Sequence, residues 1–328
     1  MTDTRVAVVG SFIHDLAFKV EVFPGPGETR IGRVFSGPGG KGSNQAVACH
    51  RQNIPTLFIG AIGDDLFGNG YVEWALREKL PVELQHTKSA TGAASIVINA
   101  QAENLIVVAL GANDELSPQH VLSSLSKHEK LSILLVQAES NLDATKAALD
   151  YARKKELISI LNPAPINECV TPALLALADI ITPNETEAAF LANHLSGEKG
   201  CIDVTTLDDE SIIGLCKRFP SSATLITLGA KGSLFYQTTA PHIRTNGTEQ
   251  GELVRIPALP GITPVDTTGA GDAFNGGFTA GLLHFEGNIK RAIKYATVVA
   301  GLSTQREGTS PAMPTRAEVE RYADFFKE

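Results

Sequence analysis

Asp266-Thr-Thr-Gly-Ala-Gly-Asp-Ala-Phe-Asn-Gly-Gly277 sets two carboxylates, Asp266 and Asp272, on either side of a small-residue turn, Gly269-Ala270-Gly271. Beyond the turn, Ala273, Phe274, Phe278, Leu282 and Leu283 fall near helical spacing. The spacing predicts a helix over Gly271–Phe285 with Gly269–Asp272 at its N-terminus. The first N–H groups of a helix lack intrahelical partners, and the dipole there is positive. Glycines remove the side chains that would block close approach. The result is an anion cradle with a carboxylate, Asp272, beside it, which suits a base next to a phosphoryl group in transit. The same residues also suit a capped helix after a tight loop, with Asp272 as an ordinary first-turn acid.

The rest of the chain narrows the choice. It has 328 residues, 43% hydrophobic and 20% charged, enough apolar mass for one large core or two domains. The formal net charge is −8 and no basic cluster stands out, which argues against nucleic acid as a partner. An anionic ligand therefore needs local N–H dipoles or a cation. The N-terminus lacks an apolar signal region and no apolar run spans a bilayer, so a cytoplasmic protein without membrane partners is expected. Cys49, Cys169, Cys201 and Cys216 lack ligand spacing and read as reduced thiols, and the eight histidines form no zinc cluster.

Short apolar runs alternate with helical patterns. Strands are predicted at Val6–Val9, Leu57–Ala61, Ile133–Gln137, Ile158–Leu161, Ile180–Thr182, Thr224–Leu228 and Leu234–Gln237. Helices are predicted at Ser43–Arg51, Gly68–Lys79, Pro118–Ser126, Leu142–Lys154, Glu185–Ala192, Asp209–Phe219, Ile289–Ser303 and Thr315–Phe326, with a loop at Ser196–Asp203. That alternation argues for an α/β fold, a mostly parallel sheet covered on both faces. Two segments break it: Leu16–Ser36, around a Pro24-Gly-Pro-Gly-Glu28 turn, and Gly92–Ala109, which reads as a hairpin of Ala94–Asn99 and Leu105–Ala109. Strands without their own helices suggest a small separate sheet able to cover a site, or else edge extensions of the main one.

Gly37-Pro-Gly-Gly-Lys-Gly42 matches G-x-G-x-x-G, yet it comes 27 residues after the end of the first strand at Gly10, and no acid follows where a dinucleotide site needs one. It is not a P-loop either. What remains is Gly39-Gly40, Lys41 and Asn44 at a helix start, suited to hydrogen bonding a polyol or simply to close helix packing. Thr182-Pro-Asn-Glu-Thr-Glu187 reads as a capping box, or as an amide and a carboxylate near Mg²⁺ at the carboxyl ends of the strands. Thr227-Leu-Gly-Ala-Lys-Gly232 is a plain turn or a nucleotide loop. Glu139 follows a strand, and Asn162-Pro-Ala-Pro165 ends one.

With these markers in this order the chain resembles the ribokinase family of ATP-dependent carbohydrate kinases, the PfkB superfamily. The resemblance covers essentially the whole length and rests on Gly39-Gly-Lys-Gly-Ser-Asn-Gln-Ala46 and Asp266–Gly277. It implies a single kinase domain of three α/β/α layers, with a discontinuous β-lid at about residues 16–36 and 92–109 that forms a homodimer contact in relatives. It implies transfer of the ATP γ-phosphate to the 5-hydroxyl of D-ribose, with Asp272 as base and Gly269, Ala270 and Gly271 as the anion hole. Ile13, Asp15, Gly39, Gly40, Lys41, Asn44 and Glu139 match sugar-side positions. Asn184, Thr227, Gly229, Ala230, Gly232, Gly271 and Thr297 match nucleotide-side positions, with Glu187 near Mg²⁺. Asp266, Thr268, Ser303, Arg306, Gly308 and Ala312 match a K⁺ loop. Two positions depart from the common pattern: relatives often carry Asn where Ile13 stands and Ser where Ala312 stands. Ile13 leaves 2-deoxyribose, or both pentoses, as a rival substrate. A nucleoside kinase and a non-catalytic sugar sensor are further alternatives, though a sensor has no need of the intact base and turn.

Overall fold

The computed structural model describes residues 4–101, 103–197, 202–238 and 245–327. Among the described residues, thirteen strands form two sheets. They are β1 (Val6–Val9), β2 (Ile13–Lys19), β3 (Arg33–Gly39), β4 (Thr56–Gly63), β5 (Val82–Thr87), β6 (Ala93–Ile98), β7 (Asn104–Ala109), β8 (Ile133–Gln137), β9 (Ile158–Asn162), β10 (Ile180–Ile181), β11 (Ala223–Thr227), β12 (Ser233–Gln237) and β13 (Leu253–Ile256). The large sheet runs β13-β12-β11-β10-β9-β8-β1-β4-β5. It is parallel from β5 to β11, and β12 and β13 add antiparallel at one edge.

The run Val6-Ala-Val-Val9 shows why. A central parallel strand is apolar on both faces because helices cover both. Val6 and Val8 pack into one core, with Phe278 and Val299 of the helices Ala270–His284 and Ile289–Ser303. Ala7 and Val9 pack into the other, with Val121, Ala148 and Leu191. Because these strands run parallel, the carboxyl ends of β1, β8, β9, β10 and β11 share one rim, where ligands of open α/β sheets bind.

Most expected elements appear, shifted by a residue or two. Three differences have physical reasons. The edge strand Val82-Glu-Leu-Gln-His-Thr87 is only half apolar, so its sequence does not resemble the buried strands beside it. The strand Leu253–Ile256 is four residues long and follows a polar loop. The helix expected over Thr315–Phe326 is broken into Arg316–Val319, a 3₁₀ turn at Glu320–Tyr322, and Ala323–Phe326. The break lets Phe326 lie against Tyr295, ring centroids 5.0 Å apart. Of the predicted loop at 196–203, residues 198–201 lie outside the described residues.

The small sheet has the order β3-β2-β6-β7. β6 and β7 form the expected hairpin, and β2 pairs antiparallel with β3 and parallel with β6. Its strands reach further toward the body than the sequence suggested. β2 starts at Ile13 and β3 ends at Gly39, directly before the helix Lys41–His50.

That helix packs closely on Ala270–His284. A Cβ at Gly276 would stand 2.5 Å from the Ala48 Cβ and 2.6 Å from the Gln45 backbone oxygen. The backbone cannot move aside without moving the helix. Gly276→Ala should therefore destabilise the fold by about 1–3 kcal/mol through overpacking and lower turnover more than sugar or ATP binding. Chemical denaturation alongside kinetics checks this, and a variant of unchanged stability and rate would show that the helices have slack.

Candidate active site

Asp272 is buried in the first turn of its helix, 6% exposed. Its two oxygens are held by two amides of the facing helix. Asn44 Nδ2 donates to Oδ2 at 2.9 Å, and Gln45 Nε2 donates to Oδ1 at 3.0 Å. Each amide is itself oriented. Ser310 Oγ donates to Asn44 Oδ1 at 2.6 Å, and Gln137 Nε2 donates to Gln45 Oε1 at 2.7 Å. Gln45 also donates to Asn162 Oδ1, and Asn162 donates to the Thr182 carbonyl. With both ends of each amide assigned, neither amide can flip without losing a bond.

Gly269 caps the helix at φ 77°, a left-handed conformation that favours glycine. The Ala270 N–H donates back to Thr267 O at 3.2 Å, so of the three expected anion-hole amides this one closes the turn. The root of the turn is Asp266. It accepts from Thr268 N at 2.9 Å and Gly308 N at 3.0 Å, and so binds the residue-266 loop to the residue-308 loop.

Three cavities border the turn between Asp266 and Asp272, and Asp272 itself lines the first. One of about 180 Å³ is walled by Lys41, Asn184, Glu187, Gly269, Gly271 and Asp272. A second, of about 440 Å³, holds Thr227, Gly229, Ala230, Gly232, Gly271 and Thr297, the expected nucleotide set apart from Asn184. Beside Thr267 and Thr304, the rest of its wall is apolar, with Leu259, Ile262 and Phe274. A third, of about 190 Å³, lies under the small sheet with Asp15, Ile96, Asp266, Thr268, Gly308 and Thr309. Of the expected sugar-side residues only Asp15 lines the third cavity, beside Asp266, Thr268 and Gly308 of the expected K⁺ loop; Lys41 lines the first, and Ile13, Gly39, Gly40, Asn44 and Glu139 line none of the three.

Glu139 sits beneath Lys41. It accepts from the Lys41 N–H at 2.8 Å and from Ser11 Oγ at 2.5 Å. Burial pushes the Glu139 and Glu187 carboxyls up. Burial works against the Lys41 ammonium, but Asp272, Glu139 and Glu187 outweigh it and hold its pKa above the usual lysine value. Asp15 is pushed up to about 7, first by burial and then by the charges of Glu139 and Asp272, against a hydrogen bond from Thr309 that lowers it. Glu187 also closes the expected capping box, accepting from Asn184 N at 2.9 Å. The cap and a cavity-facing position coexist. Among the described residues no three His, Cys, Asp or Glu side chains cluster to hold a metal. One carboxylate facing the cavity fits Mg²⁺ carried mainly by phosphate and water.

Two expected residues are placed differently. Asn44, expected on the sugar, stands between Ser310 and Asp272. Ile13 is buried, 2% exposed, in an apolar cluster with Ala94 and Ile96. Of the K⁺-loop set, Ser303 and Ala312 are buried, and the Arg306 side chain pairs with Glu318. Sequence reasoning missed Gln45, Thr309 and Ser310. The signal for Gln45 was there: Ser43-Asn44-Gln45 is a polar run opening an otherwise apolar helix.

The model of the pfkB family carbohydrate kinases matches residues 3–316. A ribokinase of Haemophilus influenzae is 34% identical over 95% of this chain and 96% of its own. A deoxyribokinase of Salmonella typhi is 29% identical over 97% and 98%. Among solved structures, ribokinase from Giardia lamblia superposes with a TM-score of 0.87 at 29% identity, covering 99% of both chains. Arabidopsis thaliana ribokinase complexed with ribose and ATP gives 0.79 at 25%, again over 99% of both. Among the described residues no helix is long and apolar enough to cross a membrane.

The raised Asp15 carboxyl has a sign. Between about pH 4 and 7 the folded state holds a proton that the unfolded state has released, so this residue lowers stability as pH rises. Asp15→Asn should raise Tm relative to wild type by an amount that grows from pH 4 to pH 8. A pH-independent difference would mean that Asp15 ionises normally.

Proposed function

This chain belongs to the PfkB family and is an ATP-dependent carbohydrate kinase; we propose that it phosphorylates D-ribose at the 5-hydroxyl. The observation that carries the reading is the buried Asp272 carboxylate, fixed by two amides at a helix N-terminus in the wall of a cavity that shares Thr227 and Gly271 with the nucleotide-side one. The sugar oxygen bonds to the γ-phosphorus as the β–γ bridging P–O bond breaks. Its proton passes to Asp272, and ADP leaves with the bridging oxygen. Lys41 and the Gly269 and Gly271 amides face the charge that spreads over the phosphoryl oxygens. Asp15, Gly39, Gly40 and the Glu139–Lys41 pair hold the sugar. Thr227, Gly229, Ala230, Gly232 and Thr297 hold the nucleotide, with Asn184 at its phosphate end.

Mg²⁺, when bound beside Glu187, neutralises the triphosphate. A K⁺ beside Asp266, Thr268, Ser303, Arg306, Gly308 and Ala312 would order the turn. The Asp266 bonds to both loops support that reading, since one ion there could brace both. The small sheet acts as lid and as dimer contact. Its apolar Val34, Phe35, Leu105, Ile106 and Val107 are exposed, which supports a second copy of this chain as cover. A rival reading, 2-deoxyribose kinase, is favoured by Ile13. It lies on the same face of β2 as Asp15 and offers no hydrogen bond to a 2-hydroxyl.

Three experiments test these readings. Asp272→Asn should keep the fold and lose roughly 10²–10⁴-fold in kcat, the usual cost of removing a general base; a folded variant with wild-type turnover rejects the role. Wild-type ATP turnover on ribose, 2-deoxyribose and adenosine should rank ribose first, and a higher kcat/KM for 2-deoxyribose would hand the assignment to the rival. Sedimentation should give a dimer that Val107→Glu dissociates; a wild-type monomer would remove the dimer contact.

A further inference from the structure

The segment Gly308-Thr309-Ser310 touches three walls of the site with three consecutive residues. Gly308 N–H donates to Asp266 Oδ2 at 3.0 Å, at the root of the anion turn. Thr309 Oγ1 lies 3.1 Å from Asp15 Oδ2 and 3.1 Å from the Pro38 carbonyl, at the base of the small sheet. Ser310 Oγ donates at 2.6 Å to Asn44, whose amide holds Asp272. Thr309 is 7% exposed and Ser310 fully buried. The segment itself is braced from behind: Arg51 Nη1 donates to the Pro311 carbonyl at 3.0 Å and the Met313 carbonyl at 2.6 Å. Close by, Lys19 of β2 pairs with Glu307 at 2.6 Å.

We propose that Thr309 and Ser310 are positioning residues that set the sugar-side acid and the base against each other. Thr309 fixes Asp15 and the β2–β3 base. Ser310 fixes the Asn44 amide so that its N–H, not its oxygen, faces Asp272. This rests on the reading of Asp15 as a sugar contact and Asp272 as base. The chemistry of each contact decides its effect. Thr309 has one hydroxyl proton and two acceptors at equal distance. Removing that proton leaves Asp15 and Pro38 without it, and the sugar loses a fixed partner. Ser310 acts on the amide, and the amide on the base. Without the serine donor, the Asn44 oxygen can turn toward the Asp272 carboxylate, where two acceptors repel. The two neighbours therefore act on different steps although they share one loop.

The test uses the full chain with D-ribose and ATP. Thr309→Val keeps the shape and removes the donor; it should raise the ribose KM by roughly tenfold, on the scale of one hydrogen bond to a charged group, with a much smaller change in kcat. Ser310→Ala should lower kcat by roughly tenfold, with a much smaller change in the ribose KM. Thr309→Ser and Ser310→Thr should each restore the lost parameter, and the ATP KM should stay put throughout. A loop with a merely structural role would shift kcat, both KM values and Tm together in both variants, and that result overturns the proposal. So does wild-type behaviour of Thr309→Val and Ser310→Ala beside an inactive Asp272→Asn, in which case the base assignment stands alone. An active, folded Asp272→Asn rejects the underlying reading instead.

Discussion

The site depends on one contact, the close approach of the helix Lys41–His50 to the helix Ala270–His284. The first helix carries Asn44 and Gln45, the second Asp272, and glycine at position 276 lets their backbones come together. Among the described residues, Asn44 and Gln45 are the side chains that donate to the buried carboxylate. An ionised group out of water is costly unless hydrogen-bonded, so the packing of two apolar helix faces also sets the electrostatics of the acid. The amides behind it, Gln137 and Asn162, come from the ends of β8 and β9. Sheet, helix pair and carboxylate thus form one connected network.

Charge is the second constraint. Glu139, Glu187 and Asp272 gather around the Lys41 ammonium, with Asp15 beside Glu139 and Asp272, in a chain of net charge −8. A triphosphate entering here meets repulsion from the side chains and attraction only from Lys41, the helix N-terminus and any metal ion. The Asp15, Glu139 and Glu187 carboxyls are raised first by burial, and neighbouring carboxylates add to it. Glu139 is eased by the Lys41 backbone N–H and Ser11, Glu187 by its own cap. Asp15 has Thr309, whose hydrogen bond works against the burial that pushes this carboxyl up to about 7.

The sequence reveals what is local. Continuous apolar runs mark the buried strands, and the small-residue turn before Asp272 marks a helix N-terminus, because both signals lie within a few neighbours. The half-polar edge strand Val82–Thr87 escapes that logic, since an edge needs apolar residues on one face only. The roles of Gln45, Thr309 and Ser310 escape it for a different reason. Each bonds a partner from a distant part of the chain, and side-chain hydrogen bonds carry no periodicity. Asn44 illustrates the gap. Its place in a glycine-rich helix start suggests a ligand contact, while the fold turns it toward Asp272 and Ser310.

Ile13 marks where local and tertiary readings must be combined. Strand alternation puts it on the face of β2 that carries Asp15, Ala17 and Lys19. Packing puts it against Ala94 and Ile96, and Ala17, Ile96 and Ile98 line the cavity beside Asp15. It is therefore part of an apolar floor continuous with that cavity, at the end nearest the body. An apolar floor discriminates a hydroxyl from a hydrogen weakly, because no buried donor is left unpaired when the hydroxyl is missing. On the ribose reading, preference for the 2-hydroxyl must then come from polar groups across the cavity. Asp15 and the backbone near Gly39 and Lys41 are the groups within reach of that task. They hang from the contact between the small sheet and the loop that carries Thr309, so on that reading sugar choice is tied to how firmly the sheet is seated.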